Sequence, residues 1–183
     1  MSLAYPLEPL YDREVSTLKH FPKGVIVFDR DGTLIEDAGQ HNQSALLKLL
    51  PGVPEALKLL SYLGYGLAIA SNQSGLESEK FSPRELFDFN HNLCKKLKSR
   101  VGIDIDLIVV CPHLATSNCD CRKPKVGLLE AIRQSGLGEP RLFIGDAESD
   151  RSAALAFGVE FLGVARGDIL EGTKNWVHVN EFS

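Results

Sequence analysis

The chain has 183 residues, 44 % hydrophobic and 24 % charged, with four cysteines and a formal net charge of -4. That length suits one well-buried domain and is short for two, and the mildly acidic balance argues against nucleic acid, which selects basic faces. No stretch approaches the roughly 18 consecutive apolar residues of a membrane span, and the start lacks a basic-then-apolar leader pattern, so a cytoplasmic protein with no membrane partner is expected.

Residues 1–23 carry Pro6, Pro9 and Pro22 without a clean period and read as an arm packed on a single domain, 24–183. Beyond them, apolar runs typical of strands alternate with helical ones. The strands fall at 24–29, 66–71, 105–110, 141–145 and 159–164. The helices fall at 53–63, 83–98, 126–134 and 148–157, the second with Ser82 as N-cap and Pro83 at its first position. No internal repeat, low-complexity tract or linker interrupts the pattern. Such alternation predicts an α/β fold, a three-layer, mostly parallel sheet with helices on both faces. Ligands of these sheets bind beyond the carboxyl ends of the strands, and the polar clusters of this chain follow its strands.

The first strand ends in Asp29-Arg30-Asp31-Gly32-Thr33. Two carboxylates presented together suit a nucleophile and a neighbouring proton carrier. They repel unless a hard cation such as Mg²⁺, which prefers oxygen ligands, joins them and draws in a phosphate. An ordinary strand end followed by an Asp/Gly turn is the alternative. After the second strand, Ser71-Asn72-Gln73-Ser74-Gly75 is a polar turn able to offer donors to phosphate oxygens, or simply a turn closed by its own side chains. After the fourth, Asp146 is placed as a Mg²⁺ ligand, Asp150 as an orienting group or a helix N-terminal charge, and Glu148 outside the site.

Cys111-Pro112-His113, five intervening residues and Cys119-Asp120-Cys121 supply one imidazole and three thiolates, a closed tetrahedral set suited to structural Zn²⁺. Redox exchange between Cys119 and Cys121 is the weaker reading, because their spacing is tighter than the usual exchange motif and leaves His113 without a role. A cluster of free thiols is the third. Cys94 reads as a core residue on its helix. Arg122 and Lys123 follow the cluster directly. Arg122 can grip phosphate or hydroxyls through its planar fork and Lys123 can offer a compact charge to a phosphoryl group, with Lys125 as its possible substitute. A solvated basic run is the alternative.

These four segments, in this order from about residue 24 to 165, resemble the haloacid dehalogenase superfamily of phosphatases and phosphotransferases. The resemblance implies a two-step displacement in which Asp29 is the nucleophile and Asp31 the acid and then the base. It also implies that Asp29, Asp146 and the Asp31 backbone carbonyl hold Mg²⁺, and that Ser71 and Lys123 bind phosphoryl oxygens. The zinc loop followed by Arg122-Lys123-Pro124 is similar to the small-cap phosphatases that include D-glycero-D-manno-heptose 1,7-bisphosphate phosphatases and histidinol-phosphate phosphatases.

Within that group, the segment 71–75 is similar to the heptose branch and the short zinc loop to the histidinol-phosphate branch. The resemblance places Asp37 and Gln40 in a substrate-contacting loop, beside Arg122, Asn72, Gln73 and Ser74. The expected activity is hydrolysis of a small phosphate ester, first the heptose bisphosphate at its 7-phosphate and second histidinol phosphate, by a monomer without a large cap domain. A noncatalytic binding protein on the same fold is the reading from another class. It would be marked by loss of Asp29, Asp31 or the lysine, all of which are present.

Overall fold

The run Val25-Ile26-Val27-Phe28 is buried along its whole length, and its side chains divide with the period of two that a strand imposes. Val25 and Val27 join one apolar layer, which also holds Ala68, Ala70, Leu107 and Val109. Ile26 and Phe28 join the opposite layer with Leu67, Ile69, Ile108 and Val110. A sheet buried on both faces requires strands of nearly unbroken hydrophobicity, which is what the sequence carries.

A computed structural model of the chain describes residues 10–11, 18–37, 47–165 and 176–178. Its elements are β1 (Leu10–Tyr11), β2 (Val25–Phe28), α1 (Val53–Tyr62), β3 (Gly66–Asn72), α2 (Pro83–Val101), β4 (Leu107–Cys111), α3 (Gly127–Gln134), β5 (Pro140–Gly145), α4 (Glu148–Phe157), β6 (Glu160–Ala165) and β7 (Trp176–His178). The sheet order is β1-β4-β3-β2-β5-β6-β7. All pairings are parallel except that of β1 with β4. The expected three-layer α/β architecture is therefore present. Leu128, Leu129 and Ile132 of α3 and Ala153 and Ala154 of α4 cover one face, and Leu57 of α1 with Leu86, Phe89, Leu93 and Leu97 of α2 covers the other.

The strand order reverses at β2, whose neighbours are β3 on one side and β5 on the other. Sheets of this kind leave a crevice at the carboxyl ends beside such a switch point, and Asp29, Ser71 and Asp146 follow or end the three strands there. The capping of α2 agrees with its sequence signal: Ser82 Oγ accepts from the Glu85 backbone N–H at 3.2 Å and the Ser82 N–H donates back to Glu85 at 2.7 Å, the reciprocal box that satisfies two terminal donors. The helix runs past the expected residue 98 to Val101 and ends at Gly102, whose φ of 75° suits glycine.

Two short strands were not foreseen. Leu10 and Tyr11 pair antiparallel with Val110 and Val109, and Trp176 to His178 pair parallel with β6. Segments of two and three residues are too short to carry a period. The nearby Phe21 packs on the α3/α4 layer, and its N–H donates to Leu137 O at 2.7 Å. Other parts of the expected arm, residues 1–9 and 12–17, lie outside the described residues, as does Gln40. No helix among the described residues is long and apolar enough to cross a membrane.

Leu93 has no exposed surface and sits on the stripe by which α2 grips the sheet. Leu93→Ala is expected to lower the unfolding free energy by about 2–5 kcal/mol, measured by denaturant titration.

Candidate active site and metal-binding loop

Asp29 leaves β2 in a pocket where nearly all of its surface is buried, a costly place for a charge unless it is paired. The pairing comes from Lys123, which arrives 94 positions later: its Nζ donates to Asp29 Oδ1 at 2.5 Å and to the Ala70 carbonyl at 2.8 Å. The same ammonium lies 2.7 Å from Asp150 Oδ1, and the Phe143 ring faces it at 5.4 Å. Burial alone would drive Lys123 toward neutrality, but the charges of Asp29 and Asp150 outweigh it and its pKa is raised. Burial pushes the Asp29 carboxyl up to about 7, Lys123 opposing and Asp150 adding to the shift.

Asp146 stands at the exposed rim of the same pocket. Partial desolvation, with Asp150 reinforcing it, raises its carboxyl to about 6. Thr33 Oγ1 donates to Asp146 Oδ1 at 3.4 Å, so the motif that opens the site also touches the acid after β5. Gly32 permits this approach, because its φ is +80° and a Cβ there would meet Asp146 Oδ2 at 2.1 Å.

One oxygen from each of Asp29, Asp146 and Asp150 falls within 4.8 Å of the others. Asp150 Oδ1 is buried with no hydrogen-bond partner, Lys123 meeting it as an ion pair. Three carboxylates crowded this closely, sharing one ammonium, fit a hard divalent cation. Asp150 also accepts from the Ala147 N–H through Oδ2 at 3.1 Å, so it caps α4 while orienting Lys123. Glu148 points away, to Arg151 at 3.1 Å.

The Asp31 side chain is outside that cluster. Its carboxylate receives Arg30 Nε at 3.0 Å, Arg30 Nη2 at 3.2 Å and Gln73 Nε2 at 2.9 Å. Gln73, expected at the substrate, is buried and also donates to Ser71 Oγ at 2.8 Å, linking the serine to the acid. Asn72 forms two bonds with the backbone of Lys123, each 3.1 Å. It docks the lysine segment on β3 rather than standing free for a phosphate. Ser74 accepts through its carbonyl from Ser78 Oγ at 2.9 Å, and Asp37 is exposed.

The zinc-type cluster closes as its spacing implied. Cys111, His113, Cys119 and Cys121 are all buried, with Cys111 Sγ to His113 Nδ1 at 3.5 Å, His113 Nδ1 to Cys121 Sγ at 3.3 Å, and Cys119 Sγ at 3.6 Å from both other sulfurs. These separations match the edges of a small tetrahedron with N and S corners, and the donor set fits Zn²⁺. Hydrogen bonding from Cys121 draws the Cys111 thiol down, to about 5, while the same bond pushes Cys121 up.

The loop is strapped from both sides. Glu77 accepts from the Leu114 N–H and from Ser117 Oγ, the latter at 2.5 Å, and these bonds hold its carboxyl below the usual range. Arg122 Nη1 donates to His113 O at 3.0 Å. Lys125 is spent on the loop itself, donating to Cys119 O at 2.7 Å; Lys123 is the lysine beside Asp29.

Sequence reasoning missed the local partners of these groups: Arg30 on Asp31, Thr33 on Asp146 and Asn72 on Lys123. Arg30 and Thr33 lie inside the Asp-x-Asp-Gly-Thr run, so their adjacency was the available signal. We expect metal analysis of the purified protein to find one zinc per chain, and Cys119→Ser to lose it and lower the melting temperature.

The chain matches the family model for polynucleotide kinase 3 phosphatase over residues 24–163. It is 37 % identical over 148 residues to the histidine biosynthesis bifunctional protein HisB of Legionella pneumophila, an alignment covering 79 % of this chain and 42 % of that protein. The chain thus spans less than half the length of the HisB relatives. It is 36 % identical over 152 residues to the D-glycero-beta-D-manno-heptose-1,7-bisphosphate 7-phosphatase of Pseudomonas putida, covering 78 % of this chain and 83 % of that one. Among solved structures it superposes on D,D-heptose 1,7-bisphosphate phosphatase from B. bronchiseptica complexed with magnesium and phosphate, with a TM-score of 0.72, 28 % identity, and 77 % and 80 % of the two chains covered. The matched span contains both aspartates of the opening motif, the lysine that pairs with the first, and the whole Cys/His loop; the chain belongs to the haloacid dehalogenase superfamily, in the phosphatase family that includes D,D-heptose 1,7-bisphosphate phosphatases and the matching portion of HisB.

Proposed function

We propose that the chain is a Mg²⁺-dependent phosphomonoesterase that works through an aspartyl phosphate on Asp29. The observation that carries this reading is the buried Asp29 held 2.5 Å from Lys123, with the Asp146 and Asp150 oxygens clustered beside it. Asp29 attacks phosphorus; the bond to the ester oxygen breaks, its electron pair stays on that oxygen, and Asp31 delivers a proton to it. Water then attacks the aspartyl phosphate while Asp31 takes its proton, releasing inorganic phosphate and restoring the Asp29 carboxylate. Lys123 and Ser71 bind phosphoryl oxygens during both displacements, and the chain's part is mainly in-line positioning and charge complementarity. Asp29, Asp146 and the Asp31 backbone carbonyl would hold Mg²⁺, with Asp150 behind them; when bound, the ion neutralises charge shared by these carboxylates and the phosphate.

The proposed substrate is D-glycero-D-manno-heptose 1,7-bisphosphate, cleaved at its 7-phosphate. The heptose-bisphosphate relative supports it, because that protein is matched over most of its own length, and so does the magnesium- and phosphate-bound structural neighbour. Arg122, anchored on the zinc loop, and Asp37 and Gln40 are the proposed substrate contacts. The HisB relatives and the five-residue gap between His113 and Cys119 favour histidinol phosphate as a second reading. We read residues 24–183 as one catalytic domain with 1–23 as an arm upon it, acting as a cytoplasmic monomer.

Asp29→Asn is expected to lower phosphate release by at least about a thousandfold with unchanged circular dichroism; full activity would remove Asp29 from the nucleophile's role. Parallel kinetics should give a higher kcat/KM for heptose 1,7-bisphosphate than for histidinol phosphate. The reverse order would select the second substrate.

A further inference from the structure

Asn90 is an unexpected residue for its position. It lies among Leu86, Phe89, Leu93 and Leu97 as one of the buried residues of α2, where a carboxamide is costly unless it is hydrogen-bonded. Its Oδ1 accepts from Arg30 Nη1 at 2.9 Å. Arg30 is equally unexpected, being only 2 % exposed and among the largest fully enclosed side chains. Its guanidinium lies over the Phe89 ring at 4.7 Å, the stacked arrangement that a planar cation favours. The opposite edge of the same guanidinium holds Asp31 by two N–H donors, at 3.0 and 3.2 Å.

We infer that Arg30, anchored on α2 by Asn90 and Phe89, is a positioning residue that aims the Asp31 carboxyl at the ester oxygen of the substrate. The inference rests on the acid/base reading of Asp31 given above. A two-donor fork fixes both the place and the plane of a carboxylate, and Gln73 adds a third donor from the β3 side. Asp31 is otherwise poorly restrained, since its side chain is 23 % exposed and lies in a turn beyond the strand end. A general acid acts only when it reaches the departing oxygen, so restraint of this turn belongs to the chemistry as well as to the fold. The relay runs from the Asn90 amide through the Arg30 fork to Asp31, and it makes α2 a part of the acid's support although α2 contributes no group to the phosphate pocket.

The test separates positioning from structural support through the leaving group. A sugar alkoxide departs only with a proton, whereas p-nitrophenolate departs without one. Three variants of the full chain, Asp31→Asn, Arg30→Lys and Asn90→Leu, are assayed with heptose 1,7-bisphosphate and with p-nitrophenyl phosphate. Arg30→Lys keeps the charge and removes the fork. Asn90→Leu removes the anchor with an apolar side chain suited to its layer, and keeps the test open should Arg30→Lys fail to fold.

General acid–base assistance is typically worth about a hundredfold or more; because Asp31 also serves as base in the second step, which both esters share, the comparison is made on kcat/KM, which reports only the step that releases the alcohol, and all three variants are expected to lose at least about tenfold more kcat/KM on the sugar phosphate than on the aryl phosphate. Equal losses on both esters in Arg30→Lys and Asn90→Leu, while Asp31→Asn still discriminates, would overturn the relay alone. Absence of discrimination in Asp31→Asn would overturn the acid assignment on which it rests.

Discussion

The buried contact between Lys123 and Asp29 is the constraint around which the rest is arranged. An ammonium and a carboxylate taken out of water each lose several kcal/mol of hydration, recovered only when their geometry is held and their remaining valences are met. Lys123 meets this demand with Asp29, Asp150 and the Ala70 carbonyl. The lysine nevertheless has more acid around it than it can neutralise. Asp29 and Asp150 touch it and Asp146 lies within reach of both, and the carboxyls of Asp29 and Asp146 are raised first by burial and further by the neighbouring charge of Asp150. Such a cluster fits a divalent cation, which would take up the charge that the acids share.

Holding Lys123 there is the task of the Cys/His loop. The loop leaves β4 at Cys111, turns, and returns at Cys121, two residues before the lysine. The four buried Cys and His side chains meet within the turn, and Glu77 and Lys125 fasten it from outside. Asn72 then joins the lysine's backbone to the end of β3 by paired hydrogen bonds. The consequence is that a residue on an irregular segment is located as firmly as one on a strand, as in-line phosphoryl transfer requires. The Cys/His loop and the surroundings of Asp29 are thus coupled mechanically, without a shared residue.

The second carboxylate of the opening motif is treated differently. Asp29 is buried and bound by a lysine that also pairs with Asp150, whereas Asp31 is partly exposed and gripped by a guanidinium anchored in the α2 layer. Alternation along the chain explains this split. With a strand's period of two, Arg30 follows Phe28 toward the layer that contains Phe89 and Asn90. Two adjacent acids receive two environments, which suits one to attack phosphorus and the other to exchange protons with solvent.

The order of strands and helices, the sheet buried on both faces, and the clustering of Cys111, His113, Cys119 and Cys121 were all legible in the sequence, because each depends on local period or close spacing. The helix 148–157 and the Ser82 cap are examples: a capping box and an apolar stripe are encoded within a few residues. The Asp-x-Asp-Gly-Thr run likewise set two acids together at a strand end by adjacency alone. The partnerships across the fold were not legible. Nothing in a spacing of 94 positions joins Lys123 to Asp29, which only the family resemblance brought to one site, and nothing in a spacing of 60 joins Arg30 to Asn90. Asn72 and Gln73 read as donors for a ligand until the folded chain placed a backbone and a carboxylate within their reach. The sequence determined which elements form and which residue types stand at their ends, since those are short-range properties of the chain. Only the tertiary structure decided which polar group satisfies which, because burial forces each to find a partner and the packing of the sheet determines which one is near.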